Sequence, residues 1–223
     1  MTMRPLSPLE ARALGVLVEK ASTVPDSYPL SLNSLTLGCN QKSARDPVIA
    51  ASEGEVQVAV DGLKSLHLAF ESSGSRVTRY EHNLGRALAL PSQSVALLAV
   101  LMLRGPQTAS ELRSNSDRLH RFADLSSVEG FLEELAARAG EKGGPLALKL
   151  PRAPGSREAR WTHLLCGPAD AALLRAAPAE DGDSLPLGEL AALKAQQAAL
   201  QREVDTLRGH VERLYRELGV ARD

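Results

Sequence analysis

Residues 74–84 read GSRVTRYEHNL, and residues 155–165 read GSREARWTHLL. Six of the eleven positions are identical, and Trp161 in the second copy takes the place of Tyr80 in the first. The recurrence of so long a phrase predicts that the chain contains two structurally equivalent units.

The repeat extends upstream of both copies. Each copy follows three segments whose apolar residues recur at helical spacing, and then a short extended segment with a turn. Each unit is therefore predicted to be three helices followed by a β-hairpin, with the repeated phrase as its second strand. The paired helical segments are LGVLVEK (14–20) with LAVLMLR (98–104), LSLNSLTLGCN (30–40) with TASELRSNS (108–116), and VQVAVDGLKSLHLAF (56–70) with VEGFLEELAARAG (128–140).

Helix starts are marked by capping boxes, in which a Ser or Thr precedes a Glu by three residues and each side chain satisfies a backbone donor of the other. Because four such pairs stand just before apolar-periodic runs, they support the helix assignments. The pairs are Ser7 with Glu10, Ser52 with Glu55, Thr108 with Glu111, and Ser126 with Glu129.

Three helices followed by a two-stranded ribbon is the winged-helix form of the helix-turn-helix. The predicted fold is mainly α with small β-hairpin wings, an α+β class. Two winged-helix domains are expected at residues 1–88 and 89–168. Aromatic residues are only 3% of the chain, so the cores must consist of Leu, Val and Ala. Tyr80 and Trp161 are predicted to cover the open ends of these two cores.

The remainder of the chain has a different pattern. Residues 169–186 form a linker rich in Ala, Pro and Asp, and residues 187–220 carry apolar a and d positions over about four heptads, as in a coiled coil. The narrow seam predicts a parallel homodimer; the alternative is one long helix that docks on its own tandem. The predicted dimer contacts are Leu193, Leu200, Val204, Leu207, Val211 and Leu214.

Three long phrases resemble the YceH family of bacterial proteins. They are NSLTLGCNQKSARDPV (33–48), LRGPQTASELRSNSDRLHRFADLSSVE (103–129) and LPRAPGSREARWTHLL (150–165). The resemblance covers roughly residues 5–166. It implies two winged-helix domains, and it implies no particular biochemical activity, because the family has no established one.

Several function classes are disfavoured. The chain has no P-loop, no G-x-S-x-G elbow and no zinc-spaced Cys and His pairs, so we expect no enzyme activity and no cofactor or metal. His82 and His163 occupy equivalent positions, which favours a structural role in the wing. The two cysteines, Cys39 and Cys166, are far apart and indicate a reducing cytoplasm. The longest apolar run has nine residues, too few to span a membrane.

Two kinds of partner remain: double-stranded DNA, bound by a dimeric regulator, or another protein, bound by an adaptor or scaffold. Residues 1–166 contain 19 Lys and Arg against 17 Asp and Glu, and the predicted third helices carry carboxylates. Both observations disfavour DNA reading by those helices, so any DNA contacts should come from wings and loops. The candidate contacts are Lys42, Arg45, Arg76, Arg79, Arg113, Arg118, Arg121, Arg152, Arg157 and Arg160.

Overall fold

The structure is a computed structural model that describes residues 3–72, 77–152 and 156–169. All of these residues belong to one compact unit. The first repeat has three main helices and three strands. In chain order they are α1 (Pro8–Thr23), β1 (Leu30–Ser31), α2 (Leu32–Cys39), α3 (Glu53–Ser65), β2 (Ala69–Ser72) and β3 (Arg79–His82), with a 3₁₀ turn at Pro25–Ser27.

The second repeat has the same order of elements. After a short connecting helix α4 (Leu84–Ala87), it contains α5 (Ser92–Arg104), β4 (Gln107–Thr108), α6 (Ala109–Ser116), α7 (Leu125–Ala136), β5 (Ala147–Lys149) and β6 (Arg160–His163), with a 3₁₀ turn at Gly140–Lys142. The α+β class is confirmed, and so are the six predicted helices and the two hairpins. The assignment of each repeat to the winged-helix fold, and the domain limits, stay predictions.

Three of the four capping boxes are confirmed. Both reciprocal bonds form at the starts of α1, α3 and α6. The box predicted at Ser126 and Glu129 is wrong, because α7 begins earlier. Its N-cap is Asp124, whose carboxylate accepts hydrogen bonds from the backbone N–H and the hydroxyl of Ser127 and from the hydroxyl of Ser126. A carboxylate is at least as good an N-cap as a hydroxyl, so the earlier residue caps the helix.

The repeated phrase forms the central strand of each three-stranded antiparallel sheet. The strand orders are β1-β3-β2 and β4-β6-β5. Leu30 pairs with Tyr80 in the first sheet, and Gln107 pairs with Trp161 in the second. The remaining strand of each sheet, β1 or β4, has only two residues. A hydrophobic period cannot be recognised over two residues, so the sequence does not predict these strands.

Tyr80 and Trp161 lie in the cores, as predicted. Their exposed fractions are 3% and 2%. The Tyr80 hydroxyl donates to Oε1 of Gln57 on α3 across 3.0 Å, which fixes β3 against the third helix. Lys149 places its ammonium 5.4 Å from the centre of the Trp161 ring.

The first helices of the two repeats pack against each other at the centre of the molecule. Residues 11–18 of α1 and 94–103 of α5 are all buried, so both helices are surrounded by protein. A Cβ on Gly15 would lie 3.0 Å from the side chain of Leu103, so glycine permits this close approach. The backbone N–H of Asp46 also donates to the carbonyl of Leu103. The two repeats therefore share one continuous hydrophobic core.

Candidate functional site

Both third helices present acidic surfaces. The exposed positions of α3 include Glu53, Glu55 and Asp61, and α7 has exposed Glu133 and Glu134. The one cation of the two helices is Lys64, whose ammonium pairs with Asp61 and with Glu71 of β2. Neither helix therefore offers an unpaired cation to phosphate.

Apolar side chains are exposed beside this acidic surface in the first repeat. Val58 of α3 is 73% exposed, and Leu37 of α2 is 66% exposed. The starts of α2 and α3 are joined by a hydrogen bond from the amide of Asn33 to the carboxylate of Glu53. Val58 lies one helical turn from Asp61, so α3 offers an apolar side chain next to a negative charge.

Arg45 requires a correction. It was predicted to contact DNA from the loop after α2, but its side chain is fully buried. The guanidinium donates to both carboxylate oxygens of Glu19 and to the carbonyls of Gly38 and Ala44. Burial raises the pKa of Glu19, but the hydrogen bonds and positive charge of Arg45 outweigh burial and hold that pKa below its usual value. Arg45 therefore ties the loop to α1, and its buried guanidinium is not accessible to a phosphate.

Arg79 and Arg160 have the same structural role in the two repeats. Each is the first residue of the central strand of its sheet, and its guanidinium donates to the carbonyl of a proline. Arg79 donates to Pro29, just before β1, over 2.8 Å, and Arg160 donates to Pro106, just before β4, over 2.7 Å. Arg160 also pairs with Glu111 of α6 at 3.0 Å. These contacts hold strand to strand, and they reduce the availability of both residues to a ligand.

The remaining candidate cations differ in their freedom. Arg113 donates to the carbonyl of Ala123, which bridges α6 to the start of α7. Arg121 is 3.9 Å from Asp117 and has an 89% exposed side chain. Arg76 lies outside the described residues. The other four are exposed and have no hydrogen bond or ion pair within the described part of the chain, and they are Lys42, Arg118, Arg152 and Arg157.

A cleft of about 700 Å³ lies between the two repeats, and sequence reasoning did not foresee it. It is lined by Leu9 and Ile49 of the first repeat and by Leu101 and Met102 of α5, and its polar lining includes Arg12. A volume of 300–1,000 Å³ is typical of small-molecule sites. The signal in the sequence was a charged residue, Arg12, between two alanines and directly before the apolar run 13–18.

Arg12 is 4% exposed, although it carries a charge. Its two terminal nitrogens donate to the carbonyls of Cys39 (3.1 Å) and Pro47 (2.7 Å), while its buried Nε has no hydrogen-bond partner. Among the described residues no carboxylate forms an ion pair with it, in contrast to Arg45. Burial, reinforced by the nearby charge of Arg45, lowers the pKa of Arg12.

The equivalent histidines His82 and His163 are both partly buried, and the Nδ1 of each has no hydrogen-bond partner. Burial lowers the pKa of His82, and it lowers the pKa of His163 to about 4. His163 is therefore neutral at pH 7. Since it also lines the cleft, His163 adds a neutral ring with an unsatisfied nitrogen to the same wall.

Cys39 is a poor nucleophile, and the described ranges contain no cluster of metal ligands. Cys39 is buried, and burial raises the pKa of its thiol to about 11, so the nucleophilic thiolate is scarce at pH 7. Among residues 3–72, 77–152 and 156–169 no cluster of His, Cys, Asp and Glu has the arrangement of a metal site. Over those same residues no helix has the length and apolar character to cross a membrane.

Comparison with known proteins assigns the family. Residues 6–156 match the model of a family described as protein of unknown function, DUF480. The chain belongs to this family. It is 61% identical over 222 residues to a UPF0502 protein of Leptothrix cholodnii, covering 99% of this chain and 98% of that protein. It is 60% identical over 219 residues to a UPF0502 protein of Burkholderia cenocepacia strain J2315, covering 98% and 91% of the two chains.

A UPF0502 protein of Cupriavidus taiwanensis is 58% identical over 223 residues, covering 99% of this chain and 90% of that protein. These DUF480 and UPF0502 relationships confirm the family resemblance inferred from the three phrases. The similarity to these relatives covers nearly the whole chain, so it includes the C-terminal heptads as well as the two repeats.

Proposed function

We propose that this member of the DUF480 family is a non-enzymatic adaptor that binds other proteins through the outward surfaces of its third helices. The observation that carries the proposal is the charge of α3 and α7: they present carboxylates, and their single cation, Lys64, is already paired. A helix-turn-helix that reads DNA needs donors and positive charge on this surface.

The chemistry of this surface defines the class of partner. Val58 is an exposed apolar residue with Asp61 one turn away, and Glu53 stands at the start of the same helix. The complementary surface is an apolar group with Lys or Arg beside it, because opposite charges around an apolar contact fix orientation and speed association. The predicted C-terminal coiled coil would present two copies of this surface to one partner and raise avidity.

A photo-crosslinking experiment tests the adaptor proposal. We expect a photoreactive phenylalanine at Val58, in the full chain, to form adducts with a discrete protein in nuclease-treated cell extract. The same group at exposed Lys142, on the 3₁₀ turn of the second repeat, is the matched control and should not form that adduct. Asp61→Arg should reduce the Val58 adduct, and Glu141→Arg should leave it unchanged. Equal adducts at Val58 and Lys142 would contradict the proposal.

Binding of double-stranded DNA is the second candidate, and one observation favours it. Arg118, Arg152 and Arg157 are exposed and unpaired among the described residues, and they come from the α6–α7 segment and the β5–β6 hairpin of one repeat. Contacts from such residues would be to phosphate, with affinity that falls with salt and carries little sequence information.

The DNA candidate is tested by a mobility-shift titration on mixed-sequence duplex at two salt concentrations. If DNA is bound, Arg152→Ala with Arg157→Ala should weaken binding to all sequences alike and reduce the salt slope by about 2. Arg86→Ala, an exposed cation on α4, is the matched control and should change neither quantity. No shift of the unaltered protein at low salt would eliminate this candidate and leave the adaptor proposal standing.

A further inference from the structure

The cleft between the repeats contains a buried guanidinium, that of Arg12, which no carboxylate of the described residues contacts directly. An ionised group removed from water costs several kcal/mol unless a counter-charge and hydrogen bonds compensate it. The buried charge of Arg45 is compensated in this way, because its guanidinium donates to both carboxylate oxygens of Glu19. Arg12, equally buried, has two backbone carbonyls and no carboxylate in ion-pair contact among the described residues.

The residues that carry the two unsatisfied atoms line an apolar space large enough for a ligand. Arg12 contributes a buried Nε–H without an acceptor, and His163 contributes a buried Nδ1 without a partner. Leu9, Ile49, Leu101 and Met102 supply apolar walls around the same volume of about 700 Å³. A site of this composition holds a mainly apolar molecule through a small number of polar contacts.

We infer that this cleft binds a small amphipathic carboxylate, with the anionic head on Arg12 and the apolar body between the two repeats. A carboxylate beside Arg12 would supply the counter-charge that no carboxylate of the described residues provides in direct contact. The ring of neutral His163 offers a second hydrogen bond to the head or to a polar substituent. Asp46 and Glu55 also line the cleft. Burial lowers the pKa of Arg12, and the charge of Asp46 opposes that shift without forming an ion pair with Arg12, while Glu55 already accepts from the backbone N–H and hydroxyl of Ser52.

The position of the cleft gives the ligand a structural effect. Its walls come from α1 and the α2–α3 loop of the first repeat and from α5 and β6 of the second. A molecule held there contacts both repeats at once, so it stabilises the arrangement in which they are packed. Binding to the folded state alone raises the free energy of unfolding by mass action. The inference goes beyond the adaptor proposal, because it concerns a different surface and a small ligand.

The test compares octanoate with octanamide, which share an apolar chain and differ in charge. Titration calorimetry of the full-length protein, below the micellar range of octanoate, should give an affinity for octanoate about tenfold to a hundredfold above that for octanamide, since a hydrogen bond to a charged group contributes about 1.5–3 kcal/mol. Arg12→Gln should abolish this preference. Arg138→Gln should retain it, because Arg138 is a second cation with an unpartnered nitrogen but lines a separate cavity.

A second variant keeps the test decisive if Arg12→Gln does not fold. Ala50 is exposed and lines the cleft, so Ala50→Phe should fill the space, preserve the fold as judged by circular dichroism, and reduce octanoate affinity at least tenfold. Equal affinity for octanoate and octanamide in the unaltered protein would overturn the inference. So would an undiminished affinity in Ala50→Phe, or a preference for octanoate that survives in folded Arg12→Gln.

Discussion

Replacing Trp161 by Ala tests whether the repeated phrase exists to close the two cores. Trp161 is 2% exposed in the central strand of the second sheet. A buried Trp removes about 150–250 Å² from water, which at about 25 cal/mol per Å² corresponds to roughly 4–6 kcal/mol as an upper bound. Alanine keeps the Cβ, and the neighbours relax in part. We therefore expect Trp161→Ala to lower the free energy of unfolding by about 3–5 kcal/mol.

The assay is equilibrium unfolding in urea, followed by circular dichroism, because the substitution removes the single Trp of the chain. Trp161→Phe keeps most of the apolar volume and should cost less than half as much. Lys149→Ala removes the cation that lies 5.4 Å from the ring centre, and it should cost at most about 1 kcal/mol. The unaltered protein should emit blue-shifted fluorescence. A loss below about 1 kcal/mol for Trp161→Ala, or emission like that of free tryptophan, would refute the reasoning.

Three further predictions concern charge and assembly. Burial lowers the pKa of His163 to about 4, so between pH 6.5 and 4 the unfolded chain binds more protons than the folded one. The free energy of unfolding should therefore fall by on the order of 3 kcal/mol as pH drops through this window. In a series of urea-unfolding measurements against pH, His163→Gln should remove this decrease. Glu19→Gln leaves the Arg45 guanidinium without a counter-charge and should cost about 3–5 kcal/mol in thermal or urea unfolding, whereas Lys20→Gln should cost under about 1 kcal/mol; equal losses would disprove the structural role of the pair. Deletion of residues 186–223 should convert a dimer into a monomer with both repeats folded, as measured by light scattering, and a full-length protein that is already monomeric at tens of micromolar would contradict the coiled-coil prediction.

The sequence was most informative where the signals were local or repeated. Capping boxes and 3.6-residue periods predicted the helices because both arise from neighbouring residues. The repeated phrase predicted two equivalent strands. It also predicted the burial of Tyr80 and Trp161, because aromatic residues at the same position of both copies indicate the same structural role. Strands β1 and β4 escaped prediction because two residues carry no period, and their pairing with β3 and β6 joins segments about 50 residues apart.

The candidate sites were less predictable, because the partners of an Arg are distant in sequence. Arg45 pairs with Glu19, which is 26 residues away in the chain, and Arg160 pairs with Glu111, which is 49 residues away. In the sequence both look like cations that are available to a ligand. Only the tertiary structure shows that Arg45 is buried and that Arg160 is paired with Glu111. Arg12 is the reverse case: its helix was recognised, but the burial of every face of α1 depends on contact with α5, which no local pattern reveals. The predicted heptad contacts lie outside the described residues.

The mutual burial of α1 and α5 makes each repeat depend on the other for its folding. Residues 11–18 of α1 and 94–103 of α5 are buried, so a chain cut at α4 would expose the apolar side of both first helices. The two helices are not interchangeable in this contact, since Arg12 of α1 corresponds to the apolar run of α5, where residues 95–103 contain no charge. We therefore expect neither half of the chain to be stable when it is produced alone.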